Sequence, residues 1–216
     1  MDLEAKVDLR TLNTTGGHKV WPAAFRLLEH LSLHPPPSNF FVELGAGTGW
    51  LGLSLALRRS NDVHILLTEQ AHEEAQQLLH HNLALNEGLK NVQVAVADFF
   101  DLEHVPAPNV PDTSVVIIGS DLVYTREIAS AFASFVAAVL RKNAPTYMLY
   151  CHTFRRYDFI DSLLLKRLGE EGLKVVEICR DQSEKPVEVI DCETGEFEDF
   201  DLFPEQVIRL LKIYFA

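Results

Sequence analysis

The chain has 216 residues, of which 47% are hydrophobic and 23% charged, and its formal net charge is −12. This composition suits one soluble globular domain and excludes a disordered or fibrous chain. The acidity opposes general binding to nucleic acid, where neutralised phosphates supply most of the affinity, and suits either a basic peptide or protein as partner or simple solubility.

No apolar run approaches the roughly 20 residues that span a bilayer, and the opening MDLEAKVDLR lacks the basic start and apolar stretch of a secretory signal. No membrane partner is expected, and the chain reads as cytoplasmic, with the nucleus left open. Cys151, Cys179 and Cys192 are odd in number and form no CxxC pair, so they read as reduced thiols. No metal site is expected, because the one adjacent histidine pair, His80 and His81, points to different faces of a helix.

From residue 38 onward β-rich apolar runs alternate with amphipathic stretches, the pattern of repeated β-α units and a mostly parallel sheet. NFFVEL forms the first strand, ending at Leu44, and a helix follows from Trp50 to Arg59. VHILLTE, residues 63–69, leads into a helix through Ala75, Leu78, Leu79 and Leu83 that Asn86 and Gly88 terminate. VQVAVAD ends a third strand at Asp98, and a connection with Pro106, Pro108 and Pro111 delivers the chain to a fourth, SVVIIGSD. A helix over 126–141, a fifth strand TYMLYC and the helix FIDSLLLKRLGEEG come next. LKVVEIC, PVEVID and VIRLLKIYF then read as antiparallel β-structure with a turn at Thr194 and Gly195.

The most informative stretch is VELGAGTGWLG, residues 42–52, which sets Gly45, Gly47 and Gly49 at the turn from a buried strand into a helix. Glycines there allow a tight turn and close approach of a ligand to the backbone. The helix start beyond them offers free N–H groups to an anion. A dinucleotide fingerprint would need G-x-G-x-x-G, and Trp50 stands where its third glycine belongs. Glu69 lies twenty residues beyond Gly49 at a strand end, placed to accept hydrogen bonds from ribose hydroxyls. Asp98, at the next strand end, is placed to meet an adenine amino group, although a lone aspartate there also forms turns.

With these parts assembled, the chain resembles the class I, seven-β-strand S-adenosylmethionine-dependent methyltransferases, and more narrowly the methyltransferase-like family of protein-lysine methyltransferases. The narrower resemblance rests on HKVWPAAFRLLEHL with Trp21, on VELGAGTGWLG, on IIGSDLVY with Asp121 and Tyr124 in an acidic-x-x-aromatic motif, and more loosely on YCHTFRRYDFIDSLL. It covers roughly residues 18–180. The chain departs from the family where TEQ replaces the usual T-D-x, and where ADFFD replaces a segment carrying a tryptophan near the adenine.

The resemblance implies a doubly wound, Rossmann-like α/β fold with a seven-stranded, mostly parallel sheet and antiparallel C-terminal strands. It implies a single domain: an N-terminal segment and helix over 1–37, a cofactor-binding core over 38–180 and a C-terminal β hairpin over 181–216. S-adenosyl-L-methionine is the implied cofactor, held by Trp21, Glu43, Gly45, Gly47, Gly49, Glu69, Asp98, Phe99 and Ser120, with Phe99 or Phe100 stacking on the adenine. Asp121 and Tyr124 are the implied catalytic pair. Asp121 orients the acceptor amine before it acts as a base, and Tyr124 lines the acceptor channel.

The implied substrate is a side chain of another protein, a translation factor or chaperone, with lysine first and arginine or histidine open. Methyltransferases of adenine or glutamine amides carry N-P-P-aromatic where this chain reads DLVY, which sets nucleic-acid methylation aside. Small-molecule methylation, a cofactor-binding scaffold without activity and a nicotinamide oxidoreductase are the competing readings. Arg155 and Arg156 could meet an acidic surface, and His152 a proton, but both read more simply as solvated and structural groups respectively.

Overall fold

The computed structural model describes residues 3–10, 19–59, 63–107, 114–143, 146–154, 159–180, 188–189 and 207–216. Pro22 opens the first helix, α1 (Pro22–Leu33), where its missing N–H leaves no bond unmade. The β-α alternation then runs as β1 (Phe40–Glu43), α2 (Trp50–Arg58), β2 (His64–Glu69), α3 (Glu73–Ala84), β3 (Val92–Val96), β4 (Val115–Ser120), α4 (Arg126–Lys142), β5 (Thr146–Phe154) and α5 (Phe159–Glu170). Three strands follow: β6 (Leu173–Arg180), β7 (Glu188–Val189) and β8 (Val207–Phe215).

The sheet order is β3-β2-β1-β4-β5-β8-β6-β7. Strands β1 to β5 are mutually parallel, and β8 runs antiparallel to both β5 and β6. The expected doubly wound, mostly parallel sheet of seven strands is present, and the two-residue β7 adds an eighth rung at its edge. Successive residues of the central strands are apolar and buried on both faces, as a parallel sheet sandwiched by helices requires. Phe41, Ile118 and Leu149 pack with α1 and α2, whereas Val42, Ile117 and Tyr150 pack with α4 and α5.

Two expectations change. The fifth strand does not stop at Cys151 but continues through His152, Thr153 and Phe154, because these residues pair with Arg209, Ile208 and Val207 of β8. The last two strands are also not hairpin partners: β7 pairs with β6, and β8 inserts between β5 and β6. Leu210, Leu211 and Ile213 of β8 are at most 1% exposed. A strand with that much apolar surface is better satisfied inside the sheet than at its rim. The turn at Thr194 and Gly195, and the arginines Arg155 and Arg156, lie outside the described residues.

Residues 3–10 cross the outside of α2 and α3 as an extended strap. The Ala5 N–H donates to Ser54 Oγ at 2.9 Å, that of Lys6 to Asn86 Oδ1 at 3.0 Å, and that of Asp8 to Asn82 Oδ1 at 2.8 Å. Each of these three backbone donors thus finds a side-chain acceptor on α2, on α3 or just beyond the end of α3, which substitutes for the ladder partner an extended segment otherwise needs. No described helix is long and apolar enough to cross a membrane.

Candidate functional site

Strand order reverses between β1 and β4, and at such a switch point the loops beyond neighbouring strands diverge and leave a crevice. Here the crevice is a cleft of about 360 Å³. It is lined by the glycine loop after β1, by the residues that end or follow β2, β3 and β4, and by Trp21 and Tyr124.

The glycine loop owes its shape to three positive-φ residues, Gly45 at +58°, Gly47 at +54° and Gly49 at +78°. A Cβ on Gly45 would lie 2.5 Å from Leu122 Cδ2, and one on Gly49 would lie 2.6 Å from Leu79 Cδ1. A Cβ on Gly47 would meet nothing within 4 Å, because this residue faces the cleft. The three glycines therefore divide their work. Gly45 lets the turn after β4 pack down, Gly47 exposes backbone to a ligand, and Gly49 starts α2 against α3. Of the residues expected to bind the cofactor, Gly49 is the one that does not line the cleft, since its open side is filled by leucines.

Two glutamates hold the loop. Glu69, at the end of β2, accepts the Gly47 N–H on Oε2 at 2.7 Å and the Gln70 N–H on Oε1 at 3.0 Å. Burial pushes its carboxyl above the usual carboxylate range, while these two N–H groups pull it back. Each of its oxygens retains a lone pair, so hydroxyls of a ribose can add to the same carboxylate. Glu43, at the end of β1, is 2% exposed and accepts the Gly52 N–H on Oε2 at 2.9 Å. Burial pushes it up to about 8, with the nearby Glu69 adding to the rise. Glu43 thus lines the cleft and ties β1 to α2. Gly52 is a residue that sequence reasoning passed over: a Cβ there would sit 2.5 Å from Glu43 Oε2 and 2.4 Å from Leu67 Cδ2.

On the β3 side, Asp98 Oδ1 accepts the Phe100 N–H at 2.9 Å, which closes a local turn and sets the two phenylalanines apart. Phe99 packs its ring 5.4 Å from both Phe132 and Phe135, so it is a fixed wall. Phe100 is 67% exposed and also lines the cleft. Phe100 is therefore the ring with a face left to give to a ligand. Nearby, Lys19 Nζ lies 3.7 Å over the Trp21 ring, and Trp50 packs tilted against Phe25 with centroids 4.3 Å apart.

On the β4 side, Ser120 ends the strand and Asp121 turns the chain with φ of +49°. This left-handed conformation disfavours side chains other than glycine, asparagine and aspartate. The turn is held in place by its neighbour β5. The Asp121 N–H donates to the Cys151 carbonyl at 3.0 Å, and the Asp121 carboxylate accepts the Thr153 N–H at 2.7 Å and the Thr153 hydroxyl at 2.8 Å. Leu122 then fills the space that Gly45 leaves open. Tyr124 is 41% exposed on the cleft wall, and Thr125 caps α4 by accepting the Ile128 N–H on Oγ1 at 3.2 Å.

The cleft is thus a crevice lined by acidic side chains, the glycine loop and aromatic rings. Gly47 and Glu69 stand on one side of it, Asp121 and Tyr124 on the other. The described lining fits a nucleoside: a backbone open at Gly47, a carboxylate at ribose reach beyond β2, and apolar Ala97, Phe99 and Phe100 beyond β3.

Solved structures with this architecture include the precorrin-6y C5,15-methyltransferase of Geobacter metallireducens GS-15, at 14% identity and TM-score 0.55, covering 98% of this chain and 95% of that one. A second is TYW2 of P. horikoshii, solved in complex with MeSAdo, at 16% identity and TM-score 0.55, covering 92% and 65%. A third is EvdMO1, at 17% identity and TM-score 0.53, covering 98% of this chain but only 44% of that one. At these identities the likeness is one of fold. No curated protein matches the sequence. A family model described as lysine methyltransferase matches residues 3–168, from the strap through most of α5. The chain belongs to the lysine methyltransferase family.

Proposed function

We propose that this chain transfers a methyl group from S-adenosylmethionine to the Nε of a lysine on another protein. The observation that carries the reading is the cleft itself, in which the Gly47 backbone and Glu69 face Asp121 and Tyr124 across a single crevice at the switch point. Membership of the lysine methyltransferase family supports the acceptor type. When bound, S-adenosylmethionine supplies an electrophilic methyl group on a sulfonium.

The chain's residues then have three tasks. Gly47 and Glu69 hold the nucleoside, with Phe100 offering a ring face to the adenine. Trp21 and Tyr124 line the cleft and exclude water from the reacting atoms. Asp121 orients the amine. A lysine arrives almost wholly as ammonium near pH 7, since its ordinary pKa is about 10.4, and an ammonium has no lone pair with which to attack. A carboxylate attracts the ammonium and aligns it, and the apolar wall beside it favours loss of the proton to bulk solvent as the side chain enters, before water is excluded and in-line attack begins.

The test is calorimetric titration of the purified chain with S-adenosylmethionine and S-adenosylhomocysteine, repeated on Gly47→Arg, which fills the open side of the loop. Micromolar binding, about −8 kcal/mol, that vanishes in the variant is the expected result. Tritiated methyl transferred to lysate proteins should then appear as methyl-lysine on amino-acid analysis. Absence of binding to either nucleoside refutes the methyltransferase reading, and label recovered as methyl-arginine or methyl-histidine refutes the lysine acceptor.

A further inference from the structure

The turn that presents Asp121 contributes little to its own rigidity. Its backbone is in a left-handed conformation that costs an aspartate free energy, and all three of its polar anchors come from one neighbouring strand, β5. The Cys151 carbonyl takes the Asp121 N–H, the Tyr150 hydroxyl takes the Leu122 N–H at 3.1 Å, and Thr153 takes the carboxylate with two donors. Thr153 is buried at 4% exposed, so water does not compete for its hydroxyl.

The end of β5 is itself made immobile by a buried chain of hydrogen bonds. The Tyr150 hydroxyl accepts the Leu122 N–H and is hydrogen-bonded to His152 Nδ1 at 3.0 Å, and His152 Nε2 is hydrogen-bonded to Asp161 Oδ1 at 2.8 Å. Tyr150 and His152 are fully buried and Asp161 is 6% exposed, where unmade hydrogen bonds are expensive and a satisfied network is correspondingly rigid. On its outer side the same segment is laced to β8, from Phe154↔Val207 to Met148↔Ile213.

We propose that Thr153 is a positioning residue for the methyl-transfer site: its N–H and hydroxyl grip both oxygens of Asp121 and hold the carboxylate toward the acceptor amine. The inference rests on the reading of the cleft as a methyltransferase site. A carboxylate turning freely about its last bond would spread its charge over many directions. Two donors from one rigid strand fix its plane, so that its outward lone pairs keep one direction. The hydroxyl matters separately from the N–H, because only the second bond stops rotation about the first.

The effect can be read without knowing the substrate. Sinefungin is an S-adenosylmethionine analogue that carries an aminomethylene group in place of the methylsulfonium, so its ammonium stands where methyl and acceptor nitrogen meet. S-adenosylhomocysteine lacks that group and reports the nucleoside pocket alone. Calorimetry with both ligands on wild type, Thr153→Val and Thr153→Ser isolates the contribution of Asp121. Wild type should prefer sinefungin by about tenfold, the worth of one charge-assisted hydrogen bond. Thr153→Val should bind S-adenosylhomocysteine as wild type does but show a preference of about twofold or less. Thr153→Ser, which keeps the hydroxyl, should restore the preference.

A preference retained in Thr153→Val, a serine variant that behaves as valine does, or a wild type that binds both ligands equally would overturn the positioning role. Loss of S-adenosylhomocysteine affinity in Thr153→Val would overturn it too, by making the residue a support of the fold. Failure of the wild type to bind S-adenosylhomocysteine at all refutes the parent reading instead, so the two failures are distinguishable.

Discussion

Replacing Glu43 by glutamine should stabilise the protein, and more so as pH rises. The carboxyl lines the cleft with 2% exposure, accepts one N–H from Gly52, and is pushed by burial from 4.5 to about 8. Below pH 4.5 both folded and unfolded chains carry it protonated and no penalty arises. Between 4.5 and 8 the unfolded chain releases a proton that the folded chain retains, so stability falls as pH rises; above 8 the loss is complete. Each pH unit of the interval is worth about 1.4 kcal/mol, which makes the full penalty about 5 kcal/mol, of which about 3 kcal/mol is already present at pH 7. Glutamine offers Gly52 a carbonyl oxygen of the same reach and cannot ionise. Urea denaturation of both proteins at pH 5.5, 7 and 8.5 should show the advantage of Glu43→Gln growing from about 1 to about 4–5 kcal/mol. Titrating groups that do not interact with Glu43 cancel in the difference, and Glu69, which adds to the rise at Glu43, contributes only through that coupling. A difference that stays flat across this range would refute the assignment of a buried, proton-retaining carboxyl at this position.

Two further substitutions probe how the loop is held. Gly49→Ala combines a φ of +78° with a Cβ 2.6 Å from Leu79, whereas Gly88→Ala has a φ of +95° and open space. The first should lose about 2–4 kcal/mol and the second about 1–2 kcal/mol in thermal or urea unfolding, and equal losses would show that Leu79 yields to the added methyl. Asn82 is fully buried, accepts the Asp8 N–H and donates to the Thr48 carbonyl at 2.9 Å. Asn82→Ala should lose about 2–3 kcal/mol by leaving both groups unsatisfied and should weaken S-adenosylhomocysteine binding, because Thr48 belongs to the glycine loop. Unchanged nucleoside affinity would show that the strap and the loop are held independently.

What the sequence displays and what it hides differ in physical kind. The alternation of strands and helices, the glycine loop and the placement of Glu69 are local: each is written in consecutive residues or in one strand-to-strand interval, and the structure has them in one cleft. Asp121 and Tyr124 were likewise legible as a short motif after a buried strand. The strap was not. Its acceptors Asn82 and Asn86 are 74 and 80 positions from their donors, and an asparagine in or just after a helix has the same letter whether it faces water or holds a distant backbone. Glu43 reads as a ligand residue from its place beside the loop and does line the cleft, but nothing in the string VELGAG shows that its carboxyl is 2% exposed and committed to the Gly52 N–H.

The same limit explains why Thr153 went unnoticed. A fifth strand that ends at Cys151 places His152 and Thr153 in a loop, where a histidine and a threonine carry no particular partner. Their position follows from β8, a strand some fifty residues later, which pairs with β5 through Phe154 and forces the extra residues to alternate: Tyr150 and His152 toward α4 and α5, Cys151 and Thr153 toward the other face. That alternation is what aims Thr153 at Asp121 and Tyr150 at Leu122. The insertion of β8 thus does more than complete the sheet. By extending β5 past the end of β4, it carries the donors that orient the carboxylate, so the final strand, which lies beyond the residues of the family match, conditions the chemistry of a site to which it contributes no side chain.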